Sequence, residues 1–393
     1  MIKRIQIKNF KCYGEPGADF PLKRINFIFG DNSVGKSTFL QLLRMVSNCE
    51  TDAISDNFKK YVFCGEEERQ IKLRITAFGR KEEKESEVAQ RIGKTHDLSD
   101  LTGGRDLVVT EDEQCPVYEY VLSKGRRTPL EYIGWVSGDE YLKGNHDGIH
   151  KAGTGFAEAE RLFRELRYLW IPHVIHAEAA RPTRFGSMPS EKKSSLAEST
   201  DVMVSSDLIE YVGRFFEELG VPYTCIDKNN LKDDFFGVKV ERKNLGAGID
   251  GLYNTALKLY EWKTYKKSME TGNPDDVYAL LALEEPESHV NERQISPLMN
   301  FIFKEARDAS NGQIIIECHS ELMALKLKNF VRSGWVTPDD IAVLVALRTE
   351  EGTVMREIGM DSKGNFTDRW PDGGFFSART LIVDEFFKSR TRK

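Results

Sequence analysis

One octapeptide constrains this sequence more than anything else in it. Gly30-Asp31-Asn32-Ser33-Val34-Gly35-Lys36-Ser37 matches the pattern GxxxxGK[ST] in full. It follows an apolar strand pattern, Arg24 to Phe29, and runs into a helical one, Ser37 to Val46, in which Phe39, Leu40, Leu42, Leu43 and Val46 are apolar. In that context the glycines let the backbone wrap so that its N–H groups face an anion, and the following helix adds its positive end. Gly30, Asp31, Asn32, Ser33, Val34, Gly35, Lys36, Ser37 and Thr38 are therefore expected to hold the phosphates of a nucleotide. Lys36 brings a point charge to the β- and γ-phosphates, and the Ser37 hydroxyl is a ligand for Mg²⁺. Strand, loop and helix together require an α/β fold.

Two later strands repeat this geometry with acids and a histidine at their ends. Val277 to Leu283 is an apolar run that stops at Glu284-Glu285-Pro286-Glu287. Such a run suits a strand buried on both faces of a parallel sheet, and ligands gather at the carboxyl ends of such strands. Glu284 is expected to hold Mg²⁺ through water and Glu285 to orient or deprotonate the attacking water. The next strand, Gln313-Ile314-Ile315-Ile316, ends in Glu317-Cys318-His319-Ser320, which brings His319 toward the γ-phosphate.

Composition narrows the setting. The six cysteines (Cys12, Cys49, Cys64, Cys115, Cys225, Cys318) are scattered, without a CxxC pair, and read as reduced thiols of a cytoplasmic protein. No apolar run approaches the roughly 18–20 residues that cross a bilayer. The alternating N-terminus MIKRIQIKNF is strand-like and has no signal-peptide core. The 56 basic and 62 acidic residues leave a formal charge of −6, which is not the balance of an obvious nucleic-acid binder. The basic tail Lys388 to Lys393 reads as a solvated terminus.

Along the chain, Ile2, Ile5 and Ile7 begin a strand, and Gln70 to Phe78 alternates again. With the strand before Gly30 they are expected to form a partly antiparallel sheet beside the phosphate loop. From about Arg80 to Gly155, charged and turn residues dominate, interrupted by short strand-like pieces such as Val117–Leu122. Helical spacing returns at Phe156–Trp170, followed by a buried strand at Ile171–His176 and a polar, Ser-rich loop at Ser187–Ser206. Asp207 is placed as the cap of a helix that runs to Leu219 and is ended by Gly220 and Pro222.

The run LLALEEPESHVNE followed by IIIECHSE resembles the Walker B, D-loop and switch-histidine set of ABC-type ATPases of the SMC/RecF/OLD kind. It is most similar to the compact AAA_15/AAA_21 ATPases without coiled coils. The resemblance implies a P-loop ATPase head, with a mixed sheet, a strand-rich N-terminal lobe and a helical signature subdomain; it does not cover the central insertion, which is read from the charged and turn residues. The boundaries that follow are 1–79 for the lobe with the phosphate loop, 80–155 for the insertion, 156–276 for the helical and signature region, and 277–393 for the C-terminal lobe. Matched residue by residue, Glu284 falls on the magnesium-site acid, Glu285 on the catalytic glutamate, Ser288 and His289 in the D-loop and His319 on the switch histidine. Asn244 to Gly251 is similar to the signature motif, which makes Gly246, Gly248 and Asp250 candidates for gripping the γ-phosphate bound by a second subunit. Asp250 is expected to cap a helix with Leu252, Ala256, Leu259 and Tyr260 on one face. It departs from the usual neutral Ser, and a carboxylate there would repel phosphate. Arg181 and Arg184 resemble an Arg-rich motif of the same group that reaches phosphate or the dimer partner, and surface ion pairs explain them nearly as well. Trp370-Pro371-Asp372-Gly373-Gly374-Phe375-Phe376 resembles its terminal motif and is expected to pack the C-terminal segment.

The expected activity is ATP hydrolysis with Mg²⁺ in a homodimer or higher oligomer, away from membranes. The long stretch between Lys36 and Glu285 contains no long coiled coil, which argues against a chromosome-scale DNA tether. The relatives that it resembles are ATPase components of bacterial antiphage systems, including PARIS, Septu and retron-associated ATPases. They imply a separately encoded nuclease or toxin as partner, regulated upon infection by ATP-driven dimerisation of this chain, with a phage-encoded trigger and nucleic acid as further candidate partners. Two other readings stay open: a RecF-like clamp that holds DNA during repair, and a slow nucleotide-sensing scaffold.

Overall fold

The computed structural model describes residues 2–47, 57–77, 115–124, 130–136, 149–151, 173–177, 206–227, 229–269, 279–308 and 312–371. The helix expected at Phe156–Trp170, Arg181, Arg184, the Ser-rich loop up to residue 205, and everything after Pro371 lie outside the described residues. Among the described residues, no helix is long and apolar enough to cross a membrane.

Among the described residues, the β-structure comprises two six-stranded sheets and one small sheet. The first is antiparallel, in the order β2-β1-β4-β5-β6-β7. Its strands are β1 Ile2–Lys8, β2 Ala18–Pro21, β4 Ile71–Ala77, β5 Cys115–Leu122, β6 Leu130–Val136 and β7 Ile149–Lys151. The central sheet has the order β15-β14-β3-β13-β12-β8. It comprises β3 Ile25–Gly30, β8 His173–Ala177, β12 Ala279–Glu284, β13 Gln313–Glu317, β14 Ile341–Thr349 and β15 Gly352–Glu357. All neighbours in it are parallel except β15, which closes one edge antiparallel to β14. The small sheet is β9 Tyr223–Asp227, β10 Asn230–Asp233 and β11 Lys239–Glu241.

β3 therefore leaves the sheet of β1 and β4, contrary to the expectation that the three would share one. The reason is its burial pattern. β1 and β4 alternate between buried and more exposed positions, as a sheet covered mainly on one face does, whereas every residue of β3 before Gly30 is buried. The strands of the 115–151 stretch extend the antiparallel sheet beyond β4, and Leu122 joins its core.

Among the described residues, six helices pack around these sheets: α1 Lys36–Ser47, the single turn α2 Phe58–Tyr61, α3 Ser206–Leu219, α4 Ala247–Met269, α5 Glu292–Asp308 and α6 Glu321–Arg332. Alternation in the central sheet divides the core in two. Phe27, Leu281, Leu283, Ile314, Ile316, Val343 and Val345 face α3 to α6. Ile28, Leu280, Ala282, Ile315 and Leu344 face α1 and the antiparallel sheet. α3 buries Leu208, Tyr211, Val212, Phe215, Phe216 and Leu219, the stripe of an amphipathic helix. It starts at Ser206, so Asp207 lies in its first turn rather than at its cap. At its other end Gly220 takes φ +63°, with Val221 N–H donating to Phe216 O and Gly220 N–H to Glu217 O, a Schellman closure.

The helical side of the core centres on Phe303 of α5. Its ring stacks on Phe330 of α6 at 4.1 Å between centroids and lies 6.1 Å from Phe27 of the strand that leads into the phosphate loop. Phe303→Ala is expected to lower the unfolding free energy by about 3–5 kcal/mol in urea denaturation. A loss below about 1 kcal/mol would show that this stack does not carry the core on that face.

Candidate nucleotide-binding site

The loop between β3 and α1 owes its shape to its glycines and to its neighbours. Gly35 has φ +104°, and a Cβ on it would lie 2.1 Å from Cys12 Sγ. Gly30 has φ +147°, and a Cβ on it would lie 2.7 Å from the Ala346 carbonyl oxygen. Ser33 also takes a positive φ of 65°. From outside the loop, the Tyr13 hydroxyl donates to Gly35 O (2.6 Å) and the Thr353 hydroxyl to Val34 O (2.6 Å). In a trans peptide the N–H points opposite to its carbonyl, so these two bonds turn the N–H groups of Gly35 and Lys36 toward the cleft.

Lys36 is 3% exposed, and its ammonium donates to Gly30 O (3.0 Å) and Asp31 O (2.8 Å). Burial lowers its pKa, opposed chiefly by the Glu317 carboxylate 3.9 Å away. The Ser37 hydroxyl donates to Glu317 Oε1 at 2.8 Å. Glu317 ends β13, directly beside β3, and is 1% exposed; burial pushes its pKa up to about 7. Its Oε2 is buried and has no hydrogen-bond partner.

β12 ends beyond β13. Glu284 is buried there, with Oε2 3.5 Å from His176 Nε2 of β8. Glu285 leaves the strand at φ +44°, an uncommon conformation for a residue with a side chain, and its N–H donates to Glu317 O at 2.8 Å. Its Oε1 meets His319 Nε2 at 2.8 Å, so that nitrogen carries the proton when the carboxylate is ionised. The same bond is the main reason that the Glu285 pKa falls below the ordinary carboxylate value. His319 is fixed from behind as well, its backbone N–H donating to Glu287 Oε1 at 2.7 Å. Burial raises the Glu287 pKa.

These groups enclose a cavity of about 330 Å³. Of the residues singled out in the sequence, Asn32, Ser33, Gly35, Lys36, Ser37, Thr38, Glu285 and His319 line it. Gly30 and Asp31 reach it through the carbonyls that hold Lys36, and Val34 is packed in the interior. Glu284 stands behind the lining, one strand farther from the loop than Glu317. Gly246, Gly248 and Asp250 do not line the cavity. Two lining residues, Cys12 and Glu317, were not legible as site residues. Glu317 carried a signal nonetheless, as the one charged side chain at the end of a strand that also delivers His319.

The signature segment departs from its expected form in one respect. α4 begins at Ala247, so Asp250 sits in its first turn and is not the cap. Its carboxylate pairs instead with Arg242 at 2.6 Å, and Arg242 lies 4.9 Å over the Tyr253 ring. Leu252, Ala256 and Leu259 are buried as expected, with Tyr260 packed partly buried against them. Gly248 lies against the loop after β12: a Cβ on it would be 2.3 Å from His289 O. Trp370 packs edge-on against Phe29 of β3 and against Phe366.

Residues 1–110 match the family described as the AAA ATPase domain. Among solved structures, the Smc head bound to the C-terminal winged-helix domain of ScpA is similar at a TM-score of 0.50 and 11% identity, over 91% of this chain and 98% of that one. The SMC head domain from Thermotoga maritima matches at a TM-score of 0.45 and 11% identity, over 91% and 99%. The sequence has no match among curated proteins. The chain thus has the α/β fold of an SMC-head-like P-loop ATPase.

Gly35→Ala is expected to weaken the binding of a fluorescent ATP analogue at least about tenfold, because it meets both the Cys12 sulfur and a positive φ. Adding Cys12→Ala should restore only part of the affinity. Full recovery would assign the whole effect to the sulfur contact.

Proposed function

We propose that the chain binds ATP with Mg²⁺ and hydrolyses it to ADP and phosphate. One observation carries the reading: the Glu285–His319 pair, 2.8 Å apart, lines the same cleft as Lys36 and Ser37. Lys36 would exchange its carbonyl partners for the β- and γ-phosphate oxygens, joined by the N–H groups of the loop. Glu285 would hold the attacking water in line. Its lowered pKa makes it a weak base, which favours orienting the water over removing its proton outright. His319, held by Glu287 and Glu285, would stand at the γ-phosphate.

The residues present suit a magnesium ion. Ser37 and Glu284 offer the oxygen donors that a hard cation takes, and the orphaned, buried Glu317 oxygen beside Ser37 marks a place that needs positive charge. Mg²⁺ bound there would offset the charge that builds on the phosphate oxygens.

The reading extends to a homodimer in which Gly246, Gly248 and Asp250 of one copy meet the γ-phosphate held by the other. The Arg242 partner supports this, since it offsets the Asp250 charge that would otherwise repel phosphate. On the strength of the sequence resemblance, ATP-driven dimerisation would respond to infection by controlling a separately encoded nuclease or toxin.

Glu285→Gln is the test. Steady-state ATPase rates are expected to fall roughly 10²–10⁴-fold with ATP affinity kept, and the ATP-loaded variant should sediment as a dimer. An unchanged rate would remove Glu285 from the chemistry. Co-purification of the tagged chain with the products of its neighbouring genes checks the output. A stoichiometric nuclease or toxin supports effector control, whereas a chain that purifies alone and is stimulated by DNA favours a repair clamp.

A further inference from the structure

We infer that Glu317 is a direct ligand of the cation that accompanies the nucleotide, so that the site holds its metal with two carboxylates, Glu317 against Ser37 and Glu284 one strand away. The inference rests on the ATP-binding reading above and deepens it.

Position is the first ground. In the parallel register Glu284 is level with Glu317, and Glu317 with Ile28. Residues level with one another in adjacent strands share a face, so both carboxylates point to the face on which α1 starts. Ile28 is packed on that face with Phe39 and Leu40 of α1. Glu317 belongs to the strand next to the phosphate loop; Glu284 does not. The carboxylate nearest the Ser37 hydroxyl is therefore that of Glu317, at 2.8 Å.

The second ground is the unused oxygen. A carboxylate whose task was only to hold Ser37 would need one oxygen. Glu317 uses Oε1 for that bond, while Oε2 lies buried without a partner in a residue that is 1% exposed. A buried, unpaired carboxylate oxygen is costly, and such groups in folded proteins call for an explanation such as a bound ion. By donating its proton to Oε1, Ser37 keeps its lone pairs for the same cation that Oε2 would meet.

Charge is the third. Among the described residues, Glu285 and Glu317 line a cleft in which Lys36 is the one ammonium, Glu284 stands one strand behind them, and a triphosphate would add further negative charge. Glu285, Glu317 and His319 bring potential ligand atoms within 4.8 Å of one another. Glu285 and His319 already bind each other, so the cation belongs on the Ser37 side of Glu317.

The test measures cation affinity rather than turnover. Mn²⁺ is titrated into the full chain saturated with a non-hydrolysable ATP analogue, and free Mn²⁺ is read by electron paramagnetic resonance. Glu317→Gln is expected to raise the Mn²⁺ Kd at least about tenfold. Circular dichroism and the thermal melt, compared with those of the wild type, show whether the variant is folded. The glutamine carbonyl can still accept the Ser37 proton, so an unchanged Mn²⁺ Kd would overturn the inference and leave Glu317 as a support for Ser37. If the glutamine variant fails to fold, Glu317→Asp takes its place. It keeps the charge but withdraws it by one methylene, and an unchanged Mn²⁺ Kd there overturns the inference equally. Wild-type chain that binds no analogue, with or without cation, would instead overturn the ATP reading itself, in a separate arm of the experiment.

Discussion

The site depends on a register. β12, β13 and β3 lie side by side so that Glu284, Glu317 and Ile28 are level, and the loops that follow them open on one edge of the sheet. A slip of β13 by one residue would turn Glu317 from the α1 face to the face packed by Phe27 and Leu283. Two buried amides secure the opposite end of these strands. Gln313 Nε2 donates to Ile2 O and Lys23 O, and Asn26 Nδ2 donates to Lys23 O and Ile314 O. Both residues are fully buried, so their bonds form out of competition with water and are costly to break. They fix where β3 and β13 begin, and equal rise per residue then fixes where their carboxyl ends meet.

At that edge the protein gathers acids and separates them by environment. Glu317 and Glu287 are driven by burial toward holding a proton, while the hydrogen bond from His319 keeps Glu285 ionised. Neighbouring carboxyls pushed apart in this way are held in different protonation states by their surroundings. The positive φ of Glu285 is part of the same arrangement. It breaks the strand direction while its N–H still bonds Glu317 O, which swings its carboxylate toward His319. Strain of this sort is kept where the surroundings over-determine it.

How much of this was readable depended on how local each signal is. The phosphate loop and the apolar run before Glu284 are short contiguous patterns with one physical meaning, and both stand where they were expected. His319 was readable because it follows an apolar strand directly. Glu317 was not, since its role comes from a hydrogen bond to Ser37, 280 residues away in sequence. Asp250 misled for a related reason. A carboxylate after a glycine turn fits a helix cap, but the helix begins three residues earlier and a neighbouring turn supplies Arg242 as its partner. The division of β1, β4 and β3 between two sheets is likewise decided by pairing across the chain, on which alternation alone is silent.

The two glycines of the signature segment show how one motif can answer to separate constraints. Among the described residues, an added Cβ on Gly246 would meet nothing within 4 Å. Gly248 has no such room, because the carbonyl of His289 lies against it. That carbonyl belongs to a tight loop in which Ser288 N–H bonds Glu285 O, Val290 N–H bonds Glu287 O and His289 takes φ +60°. The start of α4 thus rests directly on the loop that carries Glu285 and, through Glu287, fixes His319. A side chain at 248 would have to push that loop away from the cleft. Gly248 therefore answers to the chain's own loop after β12, whereas Gly246 is not held by that contact.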